Sequence, residues 1–308
     1  MKITFIQSVK GIIGGIESVN SVLADAFIND GHDVSIFYLW KSDKNEHINI
    51  NRKAKERVVS KYILIDRPSY KLLITYIKKL QIIKASKQIF KIIQYFYHIN
   101  NDYKLLKKEF TGTDENVIIL SNPLLIRGLP KGKLSKVLCH MHTGIKYYEK
   151  EKRQAKSLKK YNNKIKKFIW LTKESLNWAI DNGFDNSAYI YNPLRIKCES
   201  NLDVFENKSI IFLGRFSKEK RLNLLVKMFD EVSRENKEWT LNIYGSGFLD
   251  KQTERIIQQN ERINLNGTTQ NIVEALSSSS VLALTSEYEG LSMVAIESYE
   301  CRTTCYSI

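Results

Sequence analysis

No run of eighteen apolar residues occurs in this 308-residue sequence, so no membrane-spanning helix is expected. The opening Met1-Lys-Ile-Thr-Phe-Ile has too short an apolar core for a signal peptide, and no cleavage site follows it. Cysteine is scarce. Cys139, Cys198, Cys301 and Cys305 have no C-x-x-C spacing, which argues against a zinc site or a disulfide framework and for reduced thiols in a cytosolic protein. The dinucleotide fingerprint G-x-G-x-x-G is also missing. The glycine-rich turn near the N-terminus offers only Gly11, Gly14 and Gly15, which suit tight packing and a backbone cradle near a phosphate equally well. No helix-turn-helix, zinc or RNP signature accompanies the many lysines, so nucleic-acid binding is not expected.

What is present fits a globular α/β protein. Hydrophobic residues make up 43% and charged residues 26%, enough for real cores, and the length suits two domains. The formal charge of +15 is unevenly placed. Residues 1–200 carry 36 Lys and Arg against 18 acids, and residues 201–308 carry 12 against 15. The basic part therefore faces something anionic: nucleic acid, an anionic membrane surface or a phosphorylated acceptor.

Apolar runs alternate with helical spacing from end to end. Lys2–Ile6, a glycine turn, a helix over 18–29 and a strand over 32–39 form a β-turn-α-β unit. Further strands are expected at 116–120, 136–144, 168–172 and 188–194. The pattern restarts with strands at 209–213, 239–244, 263–267, 281–284 and 303–308, separated by helices. We expect two Rossmann-like doubly wound domains, 1–192 and 193–308, with a polar linker near 193–206. Residues 66–110 hold ten Lys and Arg against three acids, interleaved with Leu, Ile, Phe and Tyr. This is the pattern of one or two basic amphipathic helices lying on an anionic membrane surface. A helix packed on the sheet with a lysine-rich solvated face is the alternative.

Chemistry-bearing residues gather at strand ends, where open α/β sheets place ligands. His140 and His142 share one side of the strand ending at Thr143-Gly144, by the period of two. Gly214-Arg-Phe-Ser-Lys-Glu-Lys220 follows the strand at 209–213, and Gly245-Ser-Gly247 follows the next. After Leu284 comes a turn with Glu289, then a helix with Glu297. Gly290, Leu291 and Ser292 offer backbone N–H groups at its start.

Taken in order and spacing, Gly214–Lys220, Gly245–Gly247 and Glu289-Gly-Leu-Ser-Met-Val-Ala-Ile-Glu297 resemble the nucleotide-sugar domain of family 4 retaining glycosyltransferases with the GT-B fold. The Gly14-Gly15 loop and the His140–His142 strand end resemble that family's acceptor domain more loosely. The resemblance implies a nucleotide-sugar donor, in the first instance UDP-linked, and no cofactor. Arg215 and Lys220 would hold the diphosphate, Glu289 the sugar hydroxyls and Glu297 the ribose. Gly15, Gly245, Gly290, Leu291 and Ser292 would line the donor, with His142 at the reacting centre. No Asp-x-Asp occurs, so no metal is expected; fixed cations would neutralise the leaving group. A glycosidase acid–base pair is a poor alternative, because the two glutamates serve different parts of the donor. The acceptor would be a glycan or lipid-linked precursor of a surface polysaccharide, lipopolysaccharide or teichoic acid. The enzyme would be cytoplasmic, and peripheral at the inner face of the membrane. Two departures stand out. Arg302 follows Cys301 where the family has glycine, and the chain stops at Ile308, short of the family's closing helix. We therefore expect an incomplete second domain, with a non-catalytic GT-B remnant or partner subunit as the alternative function.

Overall fold

The computed structural model describes residues 1–11, 14–42, 54–60, 69–198 and 207–307. Ile12–Ile13 of the glycine turn, 66–68 of the basic segment, 199–206 of the expected linker and Ile308 lie outside the described residues.

The chain forms two compact units. One holds residues 1–142 and 152–190, the other 143–151 and 191–308. The main crossover falls at 190/191, where the sequence pattern suggested 192/193. The nine-residue excursion 143–151 has no counterpart in a contiguous division, because periodicity cannot report which unit a short basic helix packs on.

The first unit is built on seven parallel strands. In chain order they are β1 (Lys2–Lys10), β2 (Asp33–Lys41), β3 (Lys55–Val58), β4 (Val117–Leu120), β5 (Val137–Met141), β6 (Lys167–Trp170) and β7 (Ser187–Tyr189). Their spatial order is β3-β2-β1-β4-β5-β6-β7. The direction of winding reverses between β1 and β4, so the strand ends there diverge into a crevice. Ile3, Phe5, Val34, Ile36 and Ile119 pack under helix α1 (Gly15–Asn29) as one apolar cluster. Near-continuous apolar strands are what a parallel sheet covered on both faces requires. Helices α2 (Tyr70–Lys78) and α3 (Ile82–Glu109) form a hairpin between β3 and β4. Its two-helix form answers the basic amphipathic pattern read from the sequence. Strand β3 was not anticipated; Lys55-Glu-Arg-Val58 is mostly polar and exposed, and among the described residues it pairs with β2 alone at the sheet edge. Helices α5 (Lys152–Lys159) and α6 (Lys173–Asp181) also belong to this unit, whereas α4 (Ile145–Lys150) lies in the 143–151 stretch of the other.

The second unit repeats the plan with five parallel strands in the order β10-β9-β8-β11-β12. These are β8 (Ser209–Leu213), β9 (Thr240–Tyr244), β10 (Ile263–Gly267), β11 (Val281–Leu284) and β12 (Thr304–Ser307). Helices α7 (Leu222–Val232), α8 (Lys251–Gln259), α9 (Ile272–Ser277) and α10 (Met293–Glu300) connect them. Phe212, Leu225, Val226, Phe229, Leu241 and Ile243 form the core on one face; Ile211, Leu276, Leu282 and Cys301 form it on the other. Its winding reverses between β8 and β11, which brings the turn after Leu213 beside the turn after Leu284. Two Rossmann-like parallel-sheet units are the architecture expected from the sequence.

Candidate active site

In the second unit, the turns following β8 and β11 are stitched together by hydrogen bonds. The Thr285 hydroxyl donates to the Lys220 carbonyl at 2.7 Å, and the Glu287 amide donates to the Glu219 carbonyl at 2.7 Å. A short 3₁₀ turn over Lys218–Lys220 and a left-handed Arg221 (φ 49°) aim the chain into α7. The result points Lys220 across the reversal point, where its ammonium pairs with Glu289 Oε1. The Ser286 hydroxyl donates to the same oxygen at 2.7 Å. Arg215 is exposed in the same turn as Lys220 and makes no ion pair with a described residue.

Two backbone features frame this pair. Gly245, directly after β9, has φ +150°, and a Cβ there would lie 1.9 Å from the Gly214 carbonyl oxygen. Only glycine lets these two turns approach so closely. At the start of α10, the Ser292 side chain makes no capping bond, so it does not satisfy the first N–H groups of that helix. Gly290 and Leu291, half-buried, lie in the turn leading into it.

Glu297 is more enclosed than a ligand contact read from sequence would suggest. It is fully buried, and Arg195 pairs with its Oε1 through both Nε and Nη2. Its Oε2 is buried without a partner. A ligand would meet Glu297 only through that oxygen. Arg195 was missed because it lies in the stretch read as linker. The described residues at the start of that stretch pack on the second unit: Ile196 lies against its core, and the Cys198 thiol is 3.1 Å from the Ser277 hydroxyl. The same unit includes residues 143–151. A Cβ on Gly144 would lie 2.1 Å from the Glu289 carbonyl oxygen, and the rings of Tyr147 and Tyr288 are 6.2 Å apart.

The first unit gathers neutral polar groups at its own reversal point. By register, Gln7 of β1, Ser121 after β4 and His140 of β5 follow one another across one sheet face, the face covered by α1. Asn20 of α1 donates to the Ser121 hydroxyl at 2.7 Å, while its own Oδ1 is buried without a partner. Gln7 is buried, and neither its amide oxygen nor its nitrogen has a partner. The rings of His140 and His142 stand 4.0 Å apart, and both Nε2 atoms are buried and unpartnered. Burial pushes the His140 pKa down to about 4. Burial, and then the neighbouring His140, holds His142 well below the ordinary imidazole value. Both rings are therefore neutral at pH 7. Gly15 opens α1 at the same end of the sheet. Gln7 and Asn20 carried no sequence signal beyond being polar residues at apolar-periodic positions.

The expected residues thus divide in two. Arg215, Lys220, Gly245, Glu289, Gly290, Leu291, Ser292 and Glu297 belong to the second unit; Gly15 and His142 belong to the first. Residues 207–306 match the family model of the glycosyl transferases group 1. That match falls within the second unit. Along 94% of the chain and 78% of the relative, the sequence is 23% identical to the amylovoran biosynthesis glycosyltransferase AmsD of Erwinia amylovora. The fold is similar to that of a TarM mutant of S. aureus solved with fondaparinux, α-GlcNAc-glycerol and UDP. That match has a TM-score of 0.72 at 15% identity and covers 100% of this chain and 86% of TarM. It is also similar to Anabaena Alr3699/HepE solved with UDP and glucose. Here the TM-score is 0.66 at 14% identity, covering 100% of this chain and 80% of HepE. These likenesses show the GT-B fold, and the family-model match lies in the second of its two parallel-sheet units.

Proposed function

We propose that this chain transfers a hexosyl or N-acetylhexosaminyl group from a UDP-sugar to a precursor of a bacterial surface polysaccharide, lipopolysaccharide or teichoic acid, with retention at the anomeric carbon. The observation that carries the reading is the Lys220–Glu289 pair, with Arg215 unpaired among the described residues in the same turn of a glycosyltransferase group 1 domain.

As the glycosidic bond to the diphosphate breaks, negative charge grows on the leaving oxygens, and fixed cations stabilise it most effectively. Arg215 offers a planar fork and Lys220 a point charge, in place of a metal ion. A bound diphosphate draws Lys220 away from Glu289, freeing that carboxylate to accept hydrogen bonds from sugar hydroxyls. Glu297 Oε2 accepts from the ribose, and Gly245, Gly290, Leu291 and Ser292 let the backbone approach the donor. In the first unit, Gly15 gives backbone access and His142 acts as a neutral hydrogen-bonding group toward the reacting centre. Front-face attack within an ion pair accounts for retention. The reaction belongs on the cytoplasmic side, in peripheral contact with the membrane that holds a lipid-linked acceptor.

Thermal shift with UDP and a panel of UDP-sugars tests the donor. A rise in melting temperature with at least one of them is expected, lost in Lys220→Ala. No shift at millimolar ligand with any nucleotide sugar would refute the reading.

A further inference from the structure

Two thiols meet on the face of the second unit's sheet that α9 and α10 cover. Cys301, at the end of α10, is fully buried in the apolar cluster with Leu276 and Leu282, and half-buried Cys198 packs against that cluster. The two side chains are in hydrogen-bond contact with each other. The Ser277 hydroxyl bonds to both and lies 3.1 Å from the Cys198 thiol. Cys305, the third thiol on this face, turns instead to Ser298. All three are reduced.

The backbone around these thiols is anchored. The Cys198 amide donates to Glu300 Oε1 at 3.4 Å, and Arg195 of the same segment pairs with Glu297. Residues 195–198 are therefore tied to the last turn of α10 at both ends. Two sulfurs that converge on fixed chain segments meet the proximity that a disulfide demands. Access is divided between them. Burial first, and then the hydrogen bond with Cys198, pushes the Cys301 thiol up to about 12, so it is inert toward an outside reagent. Cys198 is the member that a reagent reaches first, and the Ser277 hydroxyl is placed to donate to its thiolate.

We propose that Cys198 and Cys301 form a redox-active dithiol, which a low-molecular-weight disulfide closes to an intrachain bridge. The Cys198 thiolate attacks one sulfur of the reagent, breaks its S–S bond and releases the first thiolate. Cys301 gives up its proton to that thiolate and attacks the Cys198 sulfur, which expels the second. The proton that Cys198 lost ends on this second sulfur. Two protein thiols are thus oxidised by two electrons, and the reagent is reduced to two thiols. The bridge pins residues 195–198 to α10 one turn after Glu297 and holds Arg195 on that carboxylate. This goes beyond the transferase reading and does not depend on the donor.

The test is incubation of the full chain with oxidised glutathione, followed by non-reducing peptide mapping. The expected product is a Cys198–Cys301 peptide pair that dithiothreitol releases, with titratable thiols falling from four to two. A bridge from either residue to Cys305, or glutathione retained on Cys198 without a bridge, would overturn the proposal. Two measurements then read the clamp. The bridge closes a loop of about a hundred residues in the unfolded chain, so the melting temperature should rise by about 5 °C or more. Lys197 is exposed between the two tied ends, and trypsin should cut after it at least about tenfold more slowly in the bridged form. Both effects should vanish in Cys198→Ser and persist in Cys305→Ser. Mapping needs only the wild-type chain, so a variant that fails to fold does not decide the outcome. A bridged protein with unchanged melting temperature and unchanged cutting would overturn the clamp.

Discussion

The two sheets of this protein reverse their winding in the same way, yet the crevices at their strand ends are furnished oppositely. The second unit's crevice holds fixed charge in pairs: Lys220 with Glu289, and Arg195 with a buried Glu297. The first unit's crevice holds neutral groups, Gln7, Asn20, His140 and His142, each with at least one polar atom buried and unpartnered. Topology decides where a ligand can sit, and side chains decide which. Paired charge suits a diphosphate, which can exchange into the pair and satisfy the freed cation. Neutral orphan donors and acceptors suit hydroxyl groups, which replace water one for one without bringing charge.

That contrast can be broken, and the largest effect is expected at Arg195. Removing it as Arg195→Ala leaves Glu297 buried without its cation, which costs about 3–5 kcal/mol of stability. Urea denaturation measures this, and adding Glu297→Gln should restore part of it. A loss below about 1 kcal/mol would mean the pair is not the buried charge couple described here. Lys220 is different because it is only partly buried. Lys220→Ala should lower kcat for glycosyl transfer about 100- to 1,000-fold while leaving the melting temperature nearly unchanged. Equal loss from stability and turnover would assign Lys220 to folding rather than to the leaving group.

The first unit should show its neutrality as a pH effect. The folded-state pKa of His140, about 4, lies below its unfolded value near 6.5. Its contribution to stability is therefore fully present above pH 6.5 and is lost as pH falls toward 4, where the unfolded chain takes up a proton that the folded chain refuses. The loss should reach about 3 kcal/mol and be reduced in His140→Gln. A flat profile over that window would mean the ring is not held neutral. The smallest effect is expected at Gln7. Gln7→Leu removes two unpartnered polar atoms from a buried position and should raise stability by about 1 kcal/mol. It should also raise the acceptor KM more than it lowers kcat. Destabilisation instead would show that ordered water already satisfies the amide.

How much of this was legible in advance depends on distance along the chain. The alternation of buried strands and amphipathic helices is local, so the two Rossmann-like units and nearly every strand could be read directly. The Gly214–Lys220 and Glu289–Glu297 stretches were legible for the same reason: each is a contiguous strand-to-helix turn. Strand β3 was not, because a polar edge strand has no apolar pattern to betray it. Nor was Arg195, whose partner is 102 positions away. The exposed apolar residues Ile82, Ile83, Phe90 and Ile93 of α3 are the sharpest case. Their spacing reads from sequence as an apolar helix face, which in most helices is the buried one.

The sequence by itself therefore determined the fold class, the charge asymmetry and the turn chemistry, because each follows from neighbours within a few residues. Only the tertiary structure decided which apolar face is covered, which carboxylate is closed off by an arginine and which polar groups are left without partners. Burial and pairing are properties of what packs against a residue, and packing joins residues that the chain keeps far apart.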